Sequence, residues 1–377
     1  MRTLFLHVGM HKTGTTSIQQ TLHAHQAALR EAGLSWFGDA EPNHSRAVFS
    51  AFTEAPHLYH VNRRHGLHRP ADAAQHAAES RARLTAFLHG APGPGLILSG
   101  EDIGMLGEAP IRRMLAAFRP HVERIVVIGM VRPPRGFIAS AIQQRIRGGA
   151  LLDGIEDGGV MPHYRARFEP FLTAPEVTET RLHPYTPATL DGGCSVATFL
   201  RLIGAPAELY PRLAVVRANG GASRLGVVLS LAANRAVPIF RADGSANPER
   251  AARLVRFLDG LEGARFAAPA ALVAPRLARA AEDIEWMEGR LGVPFSAAET
   301  AVAETGAPEP GLDTLSGAEL ESLARALNGL FRELEEAHAA RRRDAPEAPS
   351  RTPTAEQEAR RAARRAQRQQ EGRAGWR

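Results

Sequence analysis

The first 33 residues have the pattern of a strand, a short glycine-bearing loop and a helix, and this order constrains the fold more than any other feature of the chain. The run TLFLHVG at 3–9 is apolar, suits a buried strand and ends in glycine. The stretch TTSIQQTLHAHQAALREAG at 15–33 places apolar residues on one helical face and closes at Gly33. The unpaired amides at the start of such a helix form an anion-binding site.

Apolar runs typical of buried strands recur along the chain, at 95–102, 123–132, 180–186 and, more weakly, 212–217. Helical patterns alternate with them, at 109–118, 133–149 and 195–204. Strands that alternate with helices indicate a parallel sheet covered on both faces. We therefore predict an α/β fold whose parallel β-sheet is flanked by helices.

The remaining segments suggest additions to this sheet. Residues 42–94 and 150–178 show no clear period and are interpreted as insertions, whereas the pattern is helical at 248–262, 274–291 and 316–340. We predict three parts: an α/β domain over 1–245, a mainly helical C-terminal extension over 246–340 packed on it, and a disordered or solvated basic tail over 341–377.

The charge is concentrated in that tail. Residues 341–377 hold 11 arginines and five acids, which accounts for the whole formal net charge of +6. The rest of the chain is neutral overall and gives no sign of nucleic-acid binding. The tail could contact an acidic surface weakly, or it could serve only as a solubilising extension.

The chain has a single cysteine, Cys194, which excludes an internal disulfide and a cysteine zinc site. We interpret it as a structural or incidental thiol. No apolar stretch approaches the roughly 20 residues of a membrane span, and no leader pattern opens the chain. These features predict a cytoplasmic protein without a transmembrane segment.

The loop after the first strand contains Lys12, the one lysine among the 46 Lys and Arg residues. Residues 9–16 read GMHKTGTT, whereas the ATP-binding loop reads G-x-x-x-x-G-K-[ST]. The lysine here precedes the second glycine instead of following it. The nucleoside-triphosphate signature is therefore not met, although the physical basis of anion binding is the same.

Two segments resemble sulfotransferases that use 3′-phosphoadenosine-5′-phosphosulfate (PAPS). MHKTGTTSIQ is similar to their 5′-phosphosulfate loop, K-[ST]-G-[ST]-[ST], which often has proline where this chain has His11. In VVIGMVRPPRGFIAS, Arg132 ends a strand and Ser140 follows eight residues later, like the pair that holds the 3′-phosphate in that family. An arginine fork suits phosphate oxygens. The resemblance covers roughly residues 1 to 205.

The resemblance implies a P-loop-type fold, PAPS as co-substrate, no metal, and a hydroxyl or amine acceptor on a carbohydrate, lipid or small molecule. Lys12 would donate to the bridging oxygen of the leaving group, and Arg132 and Ser140 would hold the 3′-phosphate. The 5′-phosphate would be bound by the residues that follow the lysine, Thr13, Gly14, Thr15, Thr16 and Ser17.

The family commonly uses a glutamate or histidine as the base. Glu101 follows the strand LILSG and should face the same crevice, so it is our first candidate, with Asp102 as a neighbour that could exchange roles with it. His44, in a segment without a clear period, is the second candidate. A capping acid and an ordinary loop histidine are the plain alternatives.

Other interpretations stay open at this point. The histidines at 57, 60, 65 and 68 have a spacing that invites zinc, but a basic or inert loop is the simpler reading. The chain could also be a P-loop kinase, or a non-catalytic nucleotide-binding relative that acts in polysaccharide assembly. LILSGED is a weak candidate for the Mg²⁺-binding strand that a kinase needs.

Overall fold

A computed structural model of the chain describes residues 1–38, 41–217, 222–241, 247–251, 253–295, 312 and 314–343. Its centre is a five-stranded, wholly parallel sheet in the order β2-β3-β1-β4-β5. The strands are β1 (Thr3–His7), β2 (Leu34–Trp36), β3 (Gly95–Ser99), β4 (Arg124–Val131) and β5 (Glu179–Pro184). The predicted α/β fold is confirmed.

Helices flank this sheet and make up the C-terminal part. In the first 172 residues they are α1 (Thr15–Ala24), α2 (Gln26–Glu31), α3 (Ser45–Phe52), α4 (His60–Arg64), α5 (Pro70–Gly90), α6 (Glu108–Phe118), α7 (Pro134–Arg147) and α8 (Tyr164–Leu172). Beyond them lie α9 (Ser195–Leu202), α10 (Arg224–Ala236), α11 (Leu254–Asp259), α12 (Ala270–Arg279), α13 (Ala281–Leu291) and α14 (Gly317–Arg343). None of the helices in the described ranges is long and apolar enough to cross a membrane.

The inner strands β1, β3 and β4 are buried on both faces, which explains why they are nearly continuous apolar runs, whereas the edge strand β5, ETRLHP, is half-buried. On one face Leu4, Leu98 and Val127 pack with side chains of α3, α5, α6 and α8. On the other face Ile97 and Ile128 pack with side chains of α1 and α9. A third apolar cluster joins α7 to α10 and α12. The strongest strand pattern in the sequence, β4, thus lies beside the central strand.

The sheet order places three loops together. β1 is central, with β3 on one side and β4 on the other, and Leu6 lies opposite both Leu98 and Val127. All three strands run in the same direction, so their carboxyl ends share one edge of the sheet. In parallel sheets, ligands bind outside this edge, where the connections diverge to the two sides.

The predicted insertion 42–94 is largely helical, which corrects its interpretation as irregular. The 21-residue α5 buries Ala73, Ala77, Ser80, Leu84 and Leu88, spaced by three or four residues. The spacing is helical, but three of the five side chains are small, so the apolar period is faint in the sequence. Residues 150–178 likewise contain α8.

Three local predictions were wrong in detail. The helix at 15–33 is divided into α1 and α2 at His25, whose ring accepts a hydrogen bond from the Ala214 amide, 3.1 Å away. The segment 212–217 is not a strand, because its amides bond side chains of the α1 region, as the Val216 amide does with Thr21 Oγ1 (2.9 Å). β2, only three residues long, was missed.

The C-terminal part is helical, as predicted, with different boundaries. The helix predicted at 248–262 is confined to the six-residue α11, and that at 274–291 is two helices, α12 and α13. The chain forms two compact units, Met1–Glu319 and Leu320–Arg377. Residues 344–377, most of the predicted basic tail, lie outside the described residues.

Candidate active site

The loop between β1 and α1 is tied to the neighbouring strand. After β1 ends, the amides of Val8 and Met10 donate to the carbonyls of Ile128 and Met130 on β4, at 2.9 and 3.2 Å. The chain then turns through Lys12 and enters α1. The residue before α1 is Gly14, which has no side chain that could cap the helix. The amides of the first turn lie beyond the carboxyl end of β1, a position at which helix N-termini bind anions.

Lys12 has an unusual backbone conformation. Its φ is 64°, in the left-handed region that residues with a Cβ rarely adopt, at a cost of about 1–2 kcal/mol. The Arg132 guanidinium stabilises this turn by donating from Nη1 to the Lys12 carbonyl, 2.9 Å away. This hydrogen bond brings together the two segments that carry the sulfotransferase resemblance, 120 residues apart in the chain.

Lys12 is exposed and lies just beyond the carboxyl end of β1. Desolvation by the surrounding protein lowers the pKa of its ammonium, and the guanidiniums of Arg147 and Arg132 lower it further. Arg147 is itself ion-paired with Asp259 of α11. The carboxylates of Asp259 and Glu101 raise the pKa of Lys12 by less, so its ammonium remains under-compensated and an anionic ligand beside it would be favoured.

Gly14 ends the loop at a point of close approach. Its φ is 72°, and a Cβ built on it would lie 2.6 Å from Ser195 Cβ and 2.5 Å from Ser195 Oγ, at the start of α9. A Cβ there would also approach the Tyr185 hydroxyl at 3.2 Å. The second glycine of the motif is therefore required both by its backbone angle and by the packing of α9 against the loop.

We predict that Gly14→Ala destabilises the protein by about 1–3 kcal/mol more than Gly204→Ala does. Gly204 is a matched control, because its φ is 70° but a Cβ there would meet nothing within 4 Å. Both variants bear the same left-handed strain, and only the first adds the clash with Ser195. Urea unfolding of the two variants measures the difference. Equal free energies of unfolding would show that α9 yields to the added methyl group.

The other loop residues differ in what they can offer a phosphate. Thr13 is buried, and its hydroxyl donates to the Met10 carbonyl at 2.6 Å, so only its amide is available to a ligand. Thr15 is buried, Ser17 is half-buried and Thr16 is exposed. The Thr13 hydroxyl therefore stabilises the loop and does not donate to a ligand.

Arg132 follows β4 and reaches across the crevice. A Cβ on Gly136, in the first turn of α7, would lie 3.3 Å from Arg132 Nε, so the guanidinium packs against a helix turn without a side chain. The Tyr164 hydroxyl holds the Arg132 carbonyl at 2.6 Å. Burial lowers the pKa of this guanidinium, although arginine stays charged. Ser140, half-buried, lies on the same helix one turn beyond Gly136.

Glu101 is held by two amides that the sequence did not indicate. Gln19 Nε2, from α1, donates to Oε2 at 3.2 Å, and Asn43 Nδ2, just before α3, donates to Oε1 at 3.3 Å. Gln19 also lies 3.3 Å from Ser99 Oγ. Glu101 is half-buried in the turn after β3, at the expected edge of the sheet. Its carboxylate is thereby fixed in one orientation near the loop between β1 and α1.

His44, the second candidate base, is placed differently from what we expected. It is fully buried, its Nδ1 accepts the Ser99 amide at 3.0 Å, and its ring packs on Trp36 and Phe37 with centroids 4.5 and 5.1 Å away. Burial lowers its pKa to about 3, so the ring is neutral at physiological pH. This position suits a side chain that anchors α3 to the sheet and gives an acceptor no access.

Asp102 forms a buried chain of hydrogen bonds next to Glu101. Its Oδ1 lies 3.1 Å from Nε2 of His11, and the Tyr59 hydroxyl donates to its Oδ2. The Asp102 amide donates to Ser45 Oγ at 3.2 Å. Burial alone would raise the pKa of Asp102, but the bonds from His11 and Tyr59 outweigh it, and the pKa lies below its ordinary value. Asp102 is therefore an ionised, fully partnered carboxylate.

Of the remaining candidates, His60 interacts electrostatically with Asp102 and His11 beside the site. His60, His65 and His68 are exposed, and His65 Nε2 lies 3.5 Å from Glu41 Oε1. Across the described ranges, no group of three metal-ligating side chains comes together. Cys194 is a partly buried free thiol immediately before α9.

Comparison with known proteins adds no family to these observations: no protein-family model matches the chain, and no curated protein matches it either. The geometry of the site and the resemblance of its two motifs are therefore what indicate a function.

Proposed function

We propose that the protein is a PAPS-dependent sulfotransferase. The observation that carries the proposal is the hydrogen bond from Arg132 to the Lys12 carbonyl, 2.9 Å long. It joins the loop that resembles the 5′-phosphosulfate site to the strand end that resembles the 3′-phosphate site. A ligand with anionic groups at both positions would have one of these two cations beside each group and the N-terminus of α1 beside the first.

The residues of the site suit an in-line transfer. An acceptor hydroxyl or amine attacks sulfur, the bond from sulfur to the bridging phosphate oxygen breaks, and adenosine 3′,5′-bisphosphate leaves. Lys12 donates to that bridging oxygen as negative charge develops on it. The amides of Gly14, Thr15 and Thr16 hold the 5′-phosphate. Arg132 and Ser140 hold the 3′-phosphate, and the reaction then depends on positioning and electrostatics.

Glu101 receives the proton of the acceptor in this proposal. Its position at the carboxyl end of β3, next to the central strand, brings it to the same edge as Lys12. Gln19 and Asn43 hold its two oxygens by one hydrogen bond each, and each carboxylate oxygen keeps a second lone pair for the acceptor. The buried His44 is no longer favoured, because an acceptor cannot reach it.

The competing function, a kinase or other nucleoside-triphosphate enzyme, needs a carboxylate for Mg²⁺ near the loop. The candidate strand LILSGED ends at Asp102, and both oxygens of this carboxylate are engaged, by His11 and Tyr59. The order of lysine and glycine in the loop also differs from the ATP-binding signature. These two observations favour sulfuryl transfer over phosphoryl transfer.

The acceptor is proposed only as a class: a hydroxyl or amine of a carbohydrate, lipid or small molecule. A cleft of about 590 Å³ lies between α3 and α5 and is lined by charged and small side chains, among them Glu41, Arg46 and Arg83. None of its lining residues belongs to the proposed catalytic site, so the acceptor class rests on the motif resemblance alone.

We predict that adenosine 3′,5′-bisphosphate raises the thermal unfolding midpoint and that Mg-ATP raises it much less. A ligand at 100 times its Kd stabilises the folded state by about 2.7 kcal/mol, which is a shift of several degrees. Adenosine 5′-monophosphate is the control that lacks only the 3′-phosphate. Stabilisation by Mg-ATP alone would contradict the proposal. Transfer of labelled sulfate from PAPS to an acceptor mixture then separates an enzyme from a non-catalytic relative.

A further inference from the structure

His11 and the buried residues Asp102 and Tyr59 form a hydrogen-bonded series of side chains that none of the proposed catalytic roles uses. The ring of His11 is about three-tenths exposed, whereas the carboxyl of Asp102 is only one-tenth exposed. His11 comes from the loop after β1, Asp102 from the turn after β3, and Tyr59 immediately precedes α4. These three side chains thus connect three separate segments through the Asp102 carboxylate.

An ionised carboxylate in this position needs all of these partners. Removing one partner of a buried charge leaves it unpaired and is strongly unfavourable. Tyr59 is itself buried, and its pKa is raised by that burial and by the neighbouring Asp102, so it remains a hydroxyl donor. Arg167, a buried cation, also interacts electrostatically with Asp102. The bond to His11 is therefore a firm attachment of the phosphate loop.

The residue after His11 is the one that needs such an attachment. Lys12 adopts a left-handed backbone, which persists only where the surroundings determine it. On its C-terminal side, the Arg132 guanidinium holds the Lys12 carbonyl. On its N-terminal side, the side chain that fixes the loop to another strand end is His11. The two anchors act on the loop from opposite sides of the lysine.

Asp102 is also the residue after Glu101. The same carboxylate that holds the loop therefore lies next to the proposed base, so one chain of contacts connects Lys12 to Glu101. In the proposed reaction these two side chains act on opposite sides of the sulfur, one on the leaving oxygen and the other on the acceptor. A displacement of about 1 Å between such groups can cost about 10²-fold in rate.

We propose that His11 is a positioning residue, which, through its bond to Asp102 and the support of Tyr59, holds Lys12 in register with Glu101. The statement rests on the proposed sulfotransferase function for its catalytic consequence. Its structural part, the anchoring of the loop at residues 8–16, stands independently of that function. Measuring loop exchange and sulfate transfer separately therefore distinguishes a failure of the anchoring from a failure of the proposed function.

The test compares His11→Ala, His11→Gln and Tyr59→Phe with the unchanged protein. Amide hydrogen exchange of the 8–16 segment reports the anchoring without any ligand, and kcat and KM for PAPS report its consequence. A glutamine amide can donate to Asp102 from about the position of Nε2 but cannot accept a proton as imidazole does. We expect faster exchange and a kcat about 10–100-fold lower in His11→Ala, with KM within about threefold.

His11→Gln should restore slow exchange and bring kcat to within about threefold of the unchanged protein, with Tyr59→Phe between the two. If the protein transfers no sulfate but His11→Ala still speeds exchange, the proposed function fails and the anchoring stands. Unchanged exchange in His11→Ala, with unfolding midpoints matched, overturns the inference. A glutamine variant with slow exchange but the low kcat of the alanine variant also overturns it, because the imidazole itself would then take part in the reaction.

Discussion

We expect Lys12→Arg to lose sulfate transfer by about 10²–10³-fold although it keeps the positive charge, because the loss of one well-placed donor to a developing oxyanion has effects of that size. An ammonium is a compact donor, whereas a guanidinium is a flat fork on a longer side chain. Arg132 and Arg147 already lie near this position, as their effect on the pKa of Lys12 shows. The guanidinium introduced by Lys12→Arg is larger than an ammonium and would be repelled by these two arginines. It would therefore lie away from the bridging oxygen.

The measurement is kcat with labelled PAPS, together with the Kd of adenosine 3′,5′-bisphosphate. That Kd should change by less than about tenfold, because the lysine acts mainly on charge that appears during transfer. Gln20→Arg, at an exposed position on α1, is a control that adds a guanidinium near the loop but keeps the lysine. Normal turnover in Lys12→Arg would mean that the lysine has no special role.

The parts of the site that could be predicted from the sequence are those encoded locally. Lys12 and Gly14 lie in a short motif between a strand and a helix, and Arg132 lies at the end of the strongest strand pattern. Because parallel strands place their carboxyl ends at one edge, the approach of these segments follows from the strand assignments alone. The structure adds the contact itself, through the Lys12 carbonyl.

The parts that could not be predicted depend on long-range packing. Gln19 and Asn43 hold Glu101 from positions 82 and 58 residues away, and Tyr59 lies 43 residues from Asp102. Nothing in the local sequence marks these polar side chains as partners. Of these side chains, only Gln19 could have been suspected from the sequence, because it lies one turn into the helix that follows the motif.

His44 shows how a missed element changes a functional interpretation. The ring packs on Trp36 and Phe37, which belong to β2 and the residue after it, and β2 was not predicted because it has only three residues. Without that strand, residue 44 seemed to lie in an exposed irregular segment. With it, the histidine becomes part of the core, where burial lowers its pKa to about 3.

We expect Arg132→Ala to weaken binding of adenosine 3′,5′-bisphosphate by about 30–150-fold, which corresponds to about 2–3 kcal/mol for charge-assisted hydrogen bonds to phosphate. The variant also removes the donor to the Lys12 carbonyl, so the affinity for any nucleotide that binds the loop would fall to some extent. The affinity for adenosine 5′-monophosphate measures this second effect, because that ligand has no 3′-phosphate.

Isothermal titration of both nucleotides with both proteins forms a cycle that isolates the arginine–phosphate interaction. The loss for the bisphosphate should exceed the loss for the monophosphate by at least about tenfold. Ser140→Ala should reduce the preference for the bisphosphate over the monophosphate by less than Arg132→Ala does, because a hydroxyl contributes a single neutral donor. If Arg132→Ala weakens the two nucleotides equally, the arginine only supports the loop through Lys12, and the 3′-phosphate must be bound elsewhere.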